Sequence, residues 1–119
     1  MSLSVYTYQI DQDTGEYKGS IGDGQMAGGE SWRSEVYGST AAKSLGLKIL
    51  PTLNEPDTAF WQGQEMLDCL ESEAVTLLEN LVFVAEQSAY EAESIRYNVQ
   101  NILDAVLKAK EINGGVVIW

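Results

Sequence analysis

Residues 64–112 read QEMLDCLESEAVTLLENLVFVAEQSAYEAESIRYNVQNILDAVLKAKEI, and two periodic apolar stripes run through them. At 100° per residue, Leu67, Leu70, Ala74, Leu77, Leu78, Leu81, Val84 and Ala85 share one broad face, which predicts a helix from Gln64 to about Glu86. Ile95, Val99, Ile102, Leu103, Val106 and Ala109 form the same kind of stripe and predict a second helix from Ala89 to about Ile112. Ser88 and Glu91 stand at the spacing of a capping box, which marks the start of the second helix. Asn113 and the Gly114-Gly115 pair mark its end, with Lys108 and Lys110 in the last turns, where the helix dipole favours cations. So short a link between two long helices makes them antiparallel neighbours with facing apolar stripes.

Outward from this hairpin, the N-terminal LSVYTYQI is rich in β-branched and aromatic residues, with Tyr6, Tyr8 and Ile10 on one face of a predicted strand. Asp11, Asp13, Thr14 and Gly15 supply turn chemistry, and Tyr17 to Ile21 can return as the second arm of a hairpin. Five glycines between Gly19 and Gly29 predict a loop, mobile unless something pins it. Two short helical pieces are expected next, ESWRSEVYG and STAAKSLG, the second capped by Ser39, with Gly38 and Gly46 where helices stop. LKIL before Pro51 is a short strand candidate, and the proline-bearing connector that follows has room for a brief strand at Ala59 to Trp61. GVVIW closes the chain as a further strand. The expected fold class is α+β: a small antiparallel or mixed sheet, made of the N-terminal hairpin and the C-terminal strand, packed on the helical hairpin of about 64–112, in a single domain spanning 1–119.

Composition excludes several functions. Seven Lys and Arg against eighteen Asp and Glu leave a formal charge of −11, which repels nucleic acid and anionic membrane surfaces and favours neutral or basic partners. The absence of histidine removes Ser-His and Cys-His nucleophile systems and imidazole metal sites. The lone Cys69 has no internal disulfide partner and no basic neighbour to activate it. With no export leader or long apolar run, the expected compartment is a bacterial-type cytoplasm. No catalytic residue and no cofactor are expected.

Two candidate small-ligand sites remain. The loop 19–29 with Trp32 and Arg33 suggests a clamp for a carboxylate or aromatic ligand, because guanidinium offers planar donors. Its Gly22-x-Gly24-x-x-x-Gly28 spacing misses the dinucleotide fingerprint by one residue, and the Lys-Ser/Thr of a P-loop is absent. Asp11 and Asp13 are a weak calcium candidate with Gly15 at the wrong position, and a solvated turn explains them better.

The first helix carries Glu65, Asp68, Glu71, Glu73, Glu79 and Glu86 and no cation, so six of the eleven net negative charges sit there. On a regular helix Glu65, Asp68, Glu79 and Glu86 fall within an arc of about 60°. Phe83 projects between Glu79 and Glu86, and three readings compete for it: cover by the connector around Phe60 and Trp61, an anchor for a partner, or idle exposure. The partner-binding candidates are Asp68, Glu79, Phe83 and Glu86. On the second helix Tyr90, Tyr97, Asn101, Asp104 and Lys108 face away from the apolar stripe, toward loops of the same molecule or the seam of a homodimer. In being small, acidic, histidine-free and helix-hairpin-bearing, the chain resembles bacterial toxin-immunity and inhibitor proteins, a resemblance of composition that implies a non-enzymatic protein with a basic protein partner. The alternatives are a small-ligand or metal-binding module, and a structural homo-oligomer paired through the helical hairpin or the terminal strand VVIW.

Overall fold

The computed structural model describes residues 2–55 and 60–119. Strand β1 (Ser2–Ile10) pairs antiparallel with β2 (Tyr17–Gly29) through a turn in which the Asp11 carboxylate accepts from the backbone N–H of Asp13 (2.8 Å) and Thr14 (3.0 Å). Further along the chain come α1 (Thr40–Ser44), β3 (Phe60–Gln62), α2 (Gln64–Glu79), α3 (Leu81–Glu86), α4 (Ala92–Ile112) and β4 (Gly115–Ile118). The four strands form one antiparallel sheet in the order β2-β1-β4-β3, so the first and last strands of the chain meet at its centre. The fold is α+β, as the alternating strand and helix periodicities predict.

Side-chain alternation divides the sheet into two unlike faces. Leu3, Val5, Val116 and Ile118 point into the aliphatic core, where α4 lies against β1, β2 and β4. The buried stripe of α4, Ile95, Val99, Ile102, Val106 and Ala109, is the one its periodicity predicts. Thr7, on the same face, donates its hydroxyl to the Ala105 carbonyl at 2.8 Å and ties β1 to α4. The opposite face carries the aromatic residues Tyr6 and Tyr8 of β1 and Phe60 of β3.

α2 runs antiparallel to α4, with the end of one beside the start of the other: Lys110 reaches Asp68 and Glu71. The expected single helix from Gln64 to Glu86 is two helices, because Asn80 (φ −129°, ψ 32°) leaves helical geometry and its side-chain amide donates to the Thr76 carbonyl at 2.8 Å. A side chain that serves the carbonyl four residues back competes with the helical ladder, and asparagine does this readily. α4 likewise begins later than expected. The Ser88 hydroxyl accepts from the N–H of Tyr90 rather than forming a capping box, and Glu91 is the N-cap without a side-chain bond. The end matches expectation, with Asn113 in the left-handed region (φ 53°) and the N–H of Gly114 on the Ala109 carbonyl.

Residues 19–29 are not a loop but most of β2. The ladder accepts the glycines because aromatic rings stand where side chains would be: a Cβ at Gly24 would collide with the Tyr6 ring, and one at Gly28 (φ 119°) with the indole of Trp32. Residues 30–55 form a π-helical turn (Arg33–Tyr37), α1 capped by Ser39 as expected, and a 3-10 turn (Leu50–Asn54). No strand forms at Leu47 to Leu50. The backbone there is claimed instead by Glu73 of α2, whose carboxylate accepts from the N–H groups of Lys48, Ile49 and Leu50 at 2.8–3.1 Å. β3 appears as Phe60–Gln62, and Ala59, also expected in it, lies outside the described residues.

Candidate functional site

Five of the six acids of α2 and α3 fall into two groups, and the sixth, Glu65, is exposed in the first turn of α2. Asp68 and Glu71 close on the Lys110 ammonium at 2.5 and 2.6 Å, and these hydrogen bonds, Asp68 first, hold the Lys110 pKa above the ordinary lysine value. Glu73 is turned inward and buried, three backbone donors filling its oxygens. A carboxylate facing consecutive N–H groups is the geometry of an anion nest, satisfied here from within the chain. These three acids are therefore not part of a free anionic surface, and Asp68 stands apart from the other partner-binding candidates.

Glu79 and Glu86 form the second group. Both are exposed, and among the described residues neither is paired with a cation. The break at Asn80 puts them on separate helices, so the single 60° arc of a regular helix does not exist. Between them α3 buries Val84 and presents Val82 (66% exposed) and Phe83 (40% exposed). Of the connector, Phe60 and Trp61 are engaged elsewhere than at Phe83. Trp61 lies in the core, and Phe60 packs edge-on against Tyr8, Tyr17 and Trp119 on the outer face of the sheet.

Trp32 and Arg33 are both engaged with their own chain. Trp32 is buried against Tyr37 and Tyr90, with ring centroids 6.0 and 4.9 Å away. Arg33 bonds the Glu30 carboxylate at 2.7 Å and the Leu53 carbonyl at 2.9 Å. Asp11 serves its turn, and the N–H groups of Asp13 and Thr14 hold its carboxyl below the usual range. Asp13 is exposed beside it. Among the described residues no three acidic or sulfur side chains converge as a metal site. Tyr90, which precedes α4, donates to Glu35 at 2.5 Å, and Asn101 of α4 donates to the Met26 carbonyl at 2.8 Å, so this side of the second helix contacts segments of the same molecule.

A cleft of ≈ 460 Å³ lies between the start of α2 and the end of α4, lined by Leu67, Gln12, Lys110 and Asn113 among others. Its cation is already neutralised by Asp68 and Glu71, and the Gln12 amide is spent on the carbonyls of Ile10 and Asn113. Among the described residues no helix is long and apolar enough to cross a membrane. The fold and surfaces are those of a two-layer α+β domain; no protein-family model, curated protein or solved structure matches the chain.

Proposed function

We propose that the protein is a non-enzymatic binding protein whose α3 end docks a basic protein partner. The observation that supports this most is the contrast within one helical segment: Asp68, Glu71 and Glu73 have partners in the chain, whereas Glu79 and Glu86 have none among the described residues and flank the exposed Val82 and Phe83. An apolar centre with an uncompensated anionic rim is suited to a cationic patch with an apolar contact at its middle, since the rim charges speed encounter and the ring supplies desolvated area. The net charge of −11 adds a long-range field of the same sign.

The test is capture from a lysate of the source cells on the immobilised protein, compared with a Glu79→Lys/Glu86→Lys double variant and with Phe83→Ala. A basic protein held by the wild type at low salt should be lost from the double variant and weakened by Phe83→Ala. Retention by both variants at wild-type level, or a wild type that retains nothing, would refute the proposal.

A further inference from the structure

The outer face of the sheet carries an aromatic layer. Across the strands, the ladder sets Met26, Ser4 and Trp119 in one row, Tyr6, Val117 and Phe60 in the next, and Ser20, Tyr8, Gly115 and Gln62 in the third. None of these residues is charged, in a chain where Asp, Glu, Lys and Arg make up 21% of positions. Val117 and Tyr8 are buried beneath the aromatic layer, while Met26, Tyr17, Phe60 and Trp119 stay between 48% and 52% exposed. A charge-free patch with aromatic residues and methionine at its centre has the composition of an interface core.

From this face we propose that two copies of the chain associate back to back, sheet against sheet, about a two-fold axis through the aromatic layer. Three observations select a second copy over other occupants. The first is area: aromatic side chains bury roughly 150–250 Å² each, so the half-exposed Tyr17, Phe60 and Trp119 offer on the order of 300 Å² per copy, to which Met26 adds. With the smaller residues of the rows between them, the total from two copies approaches the ~1,200 Å² at which specific interfaces begin. The second is ring geometry. Phe60 meets Tyr8, Tyr17 and Trp119 at 71°, 87° and 88°, so the exposed rings present no common plane on which bases or sugars could stack. The third is charge: two chains of −11 repel least across a surface without carboxylates, and a two-fold axis brings like surfaces together.

The full chain, measured by size-exclusion chromatography with light scattering from micromolar to millimolar concentration, should show a two-fold rise in mass, to twice 13.1 kDa and no further. Phe60→Lys and Tyr17→Lys, each at a half-exposed position where folding can be checked by circular dichroism, should both hold the chain at monomer mass. Trp32 and Trp61 are buried, so quenching of fluorescence by neutral acrylamide reports chiefly on Trp119 and should fall as the wild-type dimer forms. Added salt should strengthen this association by screening repulsion, whereas it weakens binding of a basic partner to α3, so the two proposals fail separately. A wild type monomeric at every concentration, a dimer that persists in both folded variants, or quenching independent of concentration would overturn association through this face.

Discussion

α2 and α3 are consecutive pieces of one acidic, apolar-striped segment, yet the carboxylates along the middle of α2 and those beside the break at Asn80 are treated in opposite ways. On α2 an acid near the start and two near the middle are bound to Lys110 or to the backbone of residues 48–50, so they hold the fold together. Glu79 and Glu86, one on either side of Asn80, are unpaired among the described residues, and the largest side chain of α3 is left partly in water. The difference follows from what lies alongside. α2 has the end of α4 on one side and the 48–50 turn on the other, and both present positive ends, an ammonium or a row of N–H groups. α3 is short and sets Val84 alone among its residues fully into the core. Acidic residues therefore do not share a role because they share a helix, and the contrast can be tested from its strongest term downward.

Removing the carboxylate of Glu73 is expected to cost the most. Glu73→Ala leaves three backbone donors without an acceptor in a buried place, and each such orphan costs about 1–3 kcal/mol before relaxation. With partial rescue by water, a loss of about 3 kcal/mol is expected in urea or thermal unfolding. Glu73→Gln keeps one acceptor oxygen but aims an amide at the remaining donors, so about 2 kcal/mol is expected. A change below about 0.5 kcal/mol in both, the range of ordinary surface substitutions, would erase the contrast between the two groups of acids.

The phenols repeat the contrast at smaller scale. Tyr37 is wholly buried and donates to the Ala27 carbonyl at 2.6 Å, while Tyr97 is exposed. Burial pushes the Tyr37 pKa far above the value near 10 of an unfolded phenol. A folded pKa raised above the unfolded one means that the folded state holds the proton more tightly. Stability from this source is complete below about pH 10 and is lost as pH rises beyond it. Tyr37→Phe should cost about 1 kcal/mol at neutral pH, through the orphaned carbonyl, and flatten the decline above about pH 10. Tyr97→Phe, at an exposed position, should stay within about 0.5 kcal/mol at neutral pH. Unfolding curves collected across that alkaline range decide it, and an unchanged slope in Tyr37→Phe would show that another group sets the limit.

The helices and the sheet were legible because their signals are local and periodic: the stripe of α4 needs only its own sequence, and so does the αL turn at Asn113. What escaped was set by partners distant in the chain. Residues 19–29 have a loop's composition, and they become a strand because Tyr6 and Trp32 occupy the space above Gly24 and Gly28. Glu73 reads as one more solvated acid until the 48–50 turn is folded onto it. The break at Asn80 is masked because the apolar stripe continues through it, with Leu77, Leu78 and Leu81 keeping the period. For the candidate site, Glu79, Phe83 and Glu86 were legible as a neighbourhood. Asp68 was misplaced there because its cation, Lys110, lies far along the chain. Val82, the most exposed apolar residue of α3, was missed, though its place beside Phe83 off the stripe is visible in sequence.

The smallest effect on folding is expected where the effect on binding is greatest. Glu79→Lys and Glu86→Lys remove no hydrogen bond or ion pair among the described residues, so their effect on unfolding should stay within about 0.5 kcal/mol. The sign should be slightly favourable at low salt, because each reversal lessens the self-repulsion of a chain at −11, and the gain should shrink as salt is added. A marked destabilisation would mean that these acids serve the fold as Glu73 does. The break at Asn80 would then be a matter of helix geometry alone, with no division of labour between the acids of mid-α2 and the two that flank the break.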